Sequence, residues 1–121
     1  MCLDLRKDYD VPYNGSKIRW KIASVRVNKL GRTCYRGPYT NKEYSRPGVW
    51  MNATRDYSYD RPSPTDIGFH VFTSRRAARL TKQRFVSDEG IKVVKVEVDG
   101  FVASGEFRYE QSETWKKMRI L

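Results

Sequence analysis

Apolar and polar residues alternate along two tracts of this chain and repeat with helical spacing in a third. Lys17-Ile18-Arg19-Trp20-Lys21-Ile22 alternates basic with apolar side chains. A period of two is that of a strand, with Ile18, Trp20 and Ile22 on one face and Lys17, Arg19 and Lys21 on the other. Past Ala23-Ser24 the alternation resumes out of phase at Val25 and Val27, which predicts a bulge or a bend. Asn28-Lys29-Leu30-Gly31 is a run of turn formers leading into Arg32-Thr33-Cys34-Tyr35, so the segment reads as a hairpin. Ile91 to Val98 is rich in β-branched residues, Asp99-Gly100 is a hairpin-turn dipeptide, and Phe101-Val102-Ala103-Ser104 follows as the expected returning strand. Trp115, Met118, Ile120 and Leu121 fall on a last strand or short helix.

Between these tracts the pattern changes. Asp66 to Phe72 has strand character, and Ser74 is placed to cap a helix running from Arg75 to Arg84. On a helical projection Ala77, Leu80 and Thr81 share one side, and Arg75, Arg76, Arg79 and Lys82 share the other. One side packs and the other is basic. Residues 1–16 read as an irregular N-terminal segment ending in the Asn14-Gly15-Ser16 turn signal. Residues 37–65 read as a long loop region, since Gly37 to Pro64 holds four prolines, interrupted by a short strand at Val49-Trp50-Met51. There is no internal repeat. The elements add up to a single α+β domain over residues 1–121, a mostly antiparallel sheet with one main helix.

Composition narrows the function classes. A chain of 121 residues, 39% hydrophobic and 31% charged, is long enough for one core and too apolar for wholesale disorder. No apolar run approaches the roughly eighteen residues of a membrane span, and residues 1–8 lack the apolar stretch of an export signal. The expected location is the cytoplasm, with no membrane partner. The 24 Lys and Arg against 14 Asp and Glu give a net charge of +10, which suits a nucleic acid, a nucleotide or an acidic protein as partner. The two cysteines, Cys2 and Cys34, and one histidine show neither CxxC nor HxxxH spacing, so neither a metal nor another cofactor is expected. Free thiols are the default in a reducing compartment.

Met1-Cys2-Leu3, the Gly68-Phe69-His70-Val71-Phe72 motif ahead of a helix with Ala77-Ala78, the strand Val93-Val94-Lys95-Val96-Glu97-Val98 and a closing Glu113-Thr114-Trp115 segment together resemble small phage and prophage proteins of uncharacterised function. The resemblance covers about residues 17 to 121 in the order of its elements. It implies a virus-encoded accessory protein acting in a bacterial host's cytosol, in host takeover or in countering defence, and no particular reaction. The helix is more arginine-rich than in such proteins.

Four chemistries follow from the side chains. In the first, Arg75, Arg76 and Arg79 at the helix start, with Ser74 and the backbone N–H groups, bind a phosphate, while Trp50, Tyr57 and Tyr59 stack on bases and His70 lines the pocket. In the second, Tyr35-Arg36-Gly37, then Phe72-Thr73-Ser74 leading into the helix, then a late Glu97 or Glu106, resemble the order of elements in ADP-ribosyltransferases, which implies a carboxylate that activates a ribose. In the third, loss of Met1 exposes Cys2 as an N-terminal thiol-amine, which resembles abasic-site crosslinking SRAP proteins in the opening Met-Cys but not in Leu3-Asp4-Leu5. His70 would then serve as its base. In the fourth, the chain is an inhibitor whose basic surface meets an acidic host protein. The catalytic candidates are therefore Cys2, His70 and Glu97, although a binding role without catalysis is the expectation. His70 in a core, bonded to a carbonyl, and Trp50 as a loop anchor are the ordinary alternatives.

Overall fold

A computed structural model of the chain describes residues 4–5, 15–37, 43–53, 68–84, 90–107 and 110–121. Among them are strands β1 (Asp4–Leu5), β2 (Lys17–Val27), β3 (Thr33–Arg36), β4 (Met51–Asn52) and β5 (Phe69–Phe72), helix α1 (Arg75–Arg84), then β6 (Ile91–Phe107) and β7 (Glu110–Ile120). The strands form one antiparallel sheet in the order β1-β6-β2-β5-β7-β4, with β3 added to β2. Because β6 also pairs with β7, the strands β6, β2, β5 and β7 close into a small barrel. One helix on a mostly antiparallel sheet is the α+β arrangement expected. No helix among the described residues is long and apolar enough to cross a membrane.

Closure depends on β6, whose 17 residues far exceed the usual five or six, about 20 Å, of a globular strand. Residues 91–98 pair with β2 and residues 96–107 with β7, so Val96, Glu97 and Val98 have β2 on one side and β7 on the other. Asp99-Gly100 comes directly after the stretch paired with β2. These residues were expected to turn the chain back, but they lie inside β6, opposite β7. Gly100 has φ +70°, and its N–H is held by Asp99 Oδ1 at 2.8 Å. A left-handed glycine serves a barrel corner as well as a hairpin. The register shifts immediately afterwards, between Phe101 and Ala103. The connection to β7 comes after Phe107, which pairs with Glu110.

β2 adds two details to the pattern reading. Of the bulge or bend expected near Ser24, no bulge is present, and β2 exchanges neighbours there: Ser24 is the last residue on β6 and the first on β3. Its basic row runs from exposed Lys17 through half-buried Arg19 to buried Lys21. Lys21, Ile22 and Ala23 are all buried, because the barrel lies on one side of the strand and the helix on the other. Two smaller departures concern the loops. Asp4–Leu5 in the segment expected to be irregular pairs with Gly105 and Glu106. The strand expected at Val49-Trp50-Met51 is Met51–Asn52. The last segment is a strand, Glu110–Ile120.

Two apolar clusters flank the sheet. Val71, Val96, Val98, Trp115, Met118 and Ile120 fill the barrel, with Phe101 edge-on to Trp115 at 5.3 Å between ring centres. Ile22, Phe72, Ala77 and Ala78, with Trp20, Ile91 and Val93 at the margin, join α1 to the outer surface. Gly68 opens β5 at φ +116°, and a Cβ there would stand 2.8 Å from the Trp115 carbonyl oxygen. Only glycine lets β5 enter so close to β7.

Candidate functional site

The junction of β5 and α1 is built as its sequence implies. Ser74 Oγ accepts the Ala77 N–H at 3.0 Å, the bond of an N-cap. Ala77, Ala78 and Thr81 are buried against the sheet, and Thr81 Oγ1 donates to the Ala77 carbonyl at 2.9 Å. The opposite side of α1 carries Arg75, Arg76 and Arg79, all exposed. The helix contains no acidic residue, and none of the described carboxylates forms an ion pair with these three arginines. Arg84, at the other end, does pair with Glu110 at 3.3 Å. Cations in a first helical turn face the positive end of the helix dipole, so this surface concentrates charge that neither the helix nor the described residues offset.

His70, one residue into β5, is not part of that surface. Its ring leans on Phe72, 5.5 Å between ring centres, and its Nε2 is sealed from solvent. Burial, and secondarily the positive charge of Lys21, push its pKa down to about 3. Burial thus favours the neutral imidazole across physiological pH.

The inward face of β2 holds a polar group that pattern reading missed. Lys21 is 6% exposed, and its Nζ donates to the His70 carbonyl oxygen at 2.7 Å and lies 5.7 Å from the centre of the Tyr44 ring. Desolvation lowers the Lys21 pKa to about 8 and raises that of Tyr44 to about 12. One turn of the pleat away, Arg19 Nε meets Glu113 Oε1 at 2.6 Å, and Trp115 Nε1 donates to the same oxygen at 3.2 Å. Glu113 is 1% exposed, and its Oε2 has no protein partner among the described residues. A carboxylate at this position is legible only in retrospect, since Ser112 to Trp115 is buried at every residue. The helix lies on one face of β7 and the barrel interior on the other.

Glu97 and Trp50 come together on a different surface. Glu97 projects from the outside of β6, where it is bound by Arg119 and accepts from Ser16 Oγ at 3.1 Å. The same Arg119 guanidinium lies 5.0 Å from the centre of the Trp50 ring. Trp50 is 40% exposed, and one of its faces is given to an arginine of its own chain. Glu97 on β6 and His70 on β5 are not on adjoining strands, because β2 lies between them on one side of the barrel and β7 on the other. Cys2, Tyr57 and Tyr59 lie outside the described residues.

With this geometry in view, comparison with known proteins adds no kinship: no family model matches the chain, and neither a curated protein nor a solved structure matches it significantly.

Proposed function

We propose that the protein binds nucleic acid through the solvent side of α1, with Arg75, Arg76 and Arg79 contacting the phosphate backbone. The observation that carries this reading is the unbalanced charge of the helix. Three exposed arginines stand on a helix without an acidic residue, clustered toward the end where the dipole is also positive. A row of phosphates would relieve both the mutual repulsion and the dipole conflict. Rigidity supports it as well, because the Ser74 cap and the buried Ala77-Ala78-Thr81 side hold the arginines on a fixed frame. His70 and Glu97 are taken up by internal contacts, so the proposed role is binding rather than turnover. The resemblance to small phage proteins would set this binding in an infected bacterium.

The test is a titration of the protein against a short duplex and a single strand of random sequence over a series of salt concentrations. A steep linear fall of log K with log salt, of roughly 0.9 per neutralised phosphate on duplex, is expected. Affinity that hardly responds to salt, or absence of binding to both, disposes of the reading. Capture of an acidic protein without affinity for either nucleic acid would favour the inhibitor instead.

A further inference from the structure

The stretch from Gly15 to Gly37 contains seven Lys and Arg and no Asp or Glu. Arg19 and Lys21 point into the barrel, whereas Arg26, Lys29 and Arg32 are exposed around the turn that joins β2 to β3. That turn is strongly braced. The Asn28 N–H donates to the Arg32 carbonyl at 2.8 Å, and the Gly31 N–H to the Asn28 carbonyl at 3.0 Å. Asn28 Oδ1 then accepts both the Leu30 and the Arg32 N–H at 2.9 Å. Leu30 sits at the apex 79% exposed, and Val27 just behind it is 69% exposed, the two most exposed large apolar residues described. A single exposed leucine is ordinary. One fixed at the apex of a braced hairpin, with three cations around it, has the form of a wedge.

We infer that this hairpin tip enters the minor groove of a duplex, where Leu30 inserts between stacked base pairs and Arg26, Lys29 and Arg32 hold the flanking phosphates. The inference rests on the nucleic-acid reading of α1 and names its substrate as double-stranded. Apolar side chains inserted in this way unstack a base step and bend the duplex. Rigidity is what the action needs, since a mobile tip would yield before the stack does. Ile22 of β2 packs under α1, and Val27 lies five residues further along the same strand, roughly 17 Å away, a span within one turn of B-DNA. A lipid surface fits less well. One leucine offers less apolar area than a myristoyl chain, which alone gives only marginal membrane binding.

The experiment uses the full chain and a duplex carrying 2-aminopurine, whose fluorescence rises on unstacking, with end-labels that report bending. Wild-type protein should raise the fluorescence and shorten the end-to-end distance at saturation. Leu30→Ala, a change at an exposed site, should bind within roughly threefold of wild type, as an apolar change leaves the phosphate contacts in place, yet lose both signals. The Arg75, Arg76 and Arg79 triple alanine variant should bind more weakly and still unstack once saturated. Equal signals from Leu30→Ala and wild type, or tight wild-type binding with no unstacking, overturn the wedge and leave binding by α1 standing. A preference for single strands does the same. Failure of the wild-type protein to bind any nucleic acid overturns both readings, as does binding to phosphatidylserine vesicles in place of the duplex.

Discussion

Arg19 and Lys21 on β2 and Arg75, Arg76 and Arg79 on α1 are basic residues in similarly basic surroundings, yet the fold uses them in opposite ways. The first pair lies inside the barrel, where Arg19 meets Glu113 and Lys21 meets a carbonyl and an aromatic ring. The second set stands in water on a helix with no carboxylate of its own. Net charge counts both sets equally. Of the two sets only the second presents its charge to a polyanion: inside the barrel Glu113 offsets Arg19, so of the formal +10 these interior groups hold back the single charge of Lys21. The formal charge understates how much stability hangs on the interior charges, because a desolvated ion without its partner is far costlier than an exposed one.

The sharpest way to break this contrast is Glu113→Ala. Removing the carboxylate leaves Arg19, only 15% exposed at its side chain, and the Trp115 indole N–H without their shared acceptor. A loss of about 3–5 kcal/mol is expected, a large share of the 5–15 typical of a domain, and urea denaturation measures it. Arg19→Met with Glu113→Leu should recover most of that loss, because the pair is then replaced by apolar volume. If Glu113→Ala costs no more than an exposed ion pair, the interior is wetter than its burial implies.

Next in size is the dependence on pH. His70 has a folded pKa of about 3 against 6.5, so between these values the unfolded chain binds a proton that the folded chain refuses. Stability should therefore fall as pH drops from 6.5 to 3, by on the order of 4 kcal/mol. Lys21, at about 8 against 10.5, has the same sign in an alkaline window. Its burial cost is present below pH 8 and relieved as pH rises to 10.5, by about 3 kcal/mol. Tyr44, raised to about 12 from 10, works the other way, since the folded chain keeps a proton that the unfolded chain loses, and stability falls above pH 10. Thermal unfolding across pH should show the acid slope vanish in His70→Gln and the rise above pH 8 vanish in Lys21→Met. Slopes that persist in both variants would assign them to other groups.

Much of this architecture was legible in the chain. The helix and its cap, the β2–β3 hairpin, the β-branched tract of β6 and the exposed arginines follow from local rules, since capping, turn formation and helical amphipathicity each depend on neighbours within four residues. The rest depends on closure. A lysine alternating with isoleucine reads as solvent-facing when a sheet has one buried side, and only a barrel with a helix outside it buries both. Likewise Asp99-Gly100 carries the chemistry of a turn, and whether that becomes a reversal or a corner is decided by β7 arriving opposite. Glu113 gave no local sign of the Arg19 partner 94 residues away.

Ser74→Ala comes third, with a loss of about 1 kcal/mol from the missing cap, read by the same denaturation. It should weaken nucleic-acid binding only as far as the first turn frays, which separates the frame from the charges it carries.

The smallest effect on folding is expected from the change with the largest effect on binding. Replacing Arg75, Arg76 and Arg79 together by alanine removes no buried contact, raises helix propensity and relieves the conflict with the dipole. Stability should stay within about 0.5 kcal/mol of wild type or rise slightly. On duplex, three lost phosphate contacts should lower the salt slope by roughly 2.7. The same three substitutions thus separate the two sets of basic residues. A folded variant with an unchanged slope would move the binding surface away from α1, whereas a large loss of stability would mean that these arginines, like Arg19, belong to the fold.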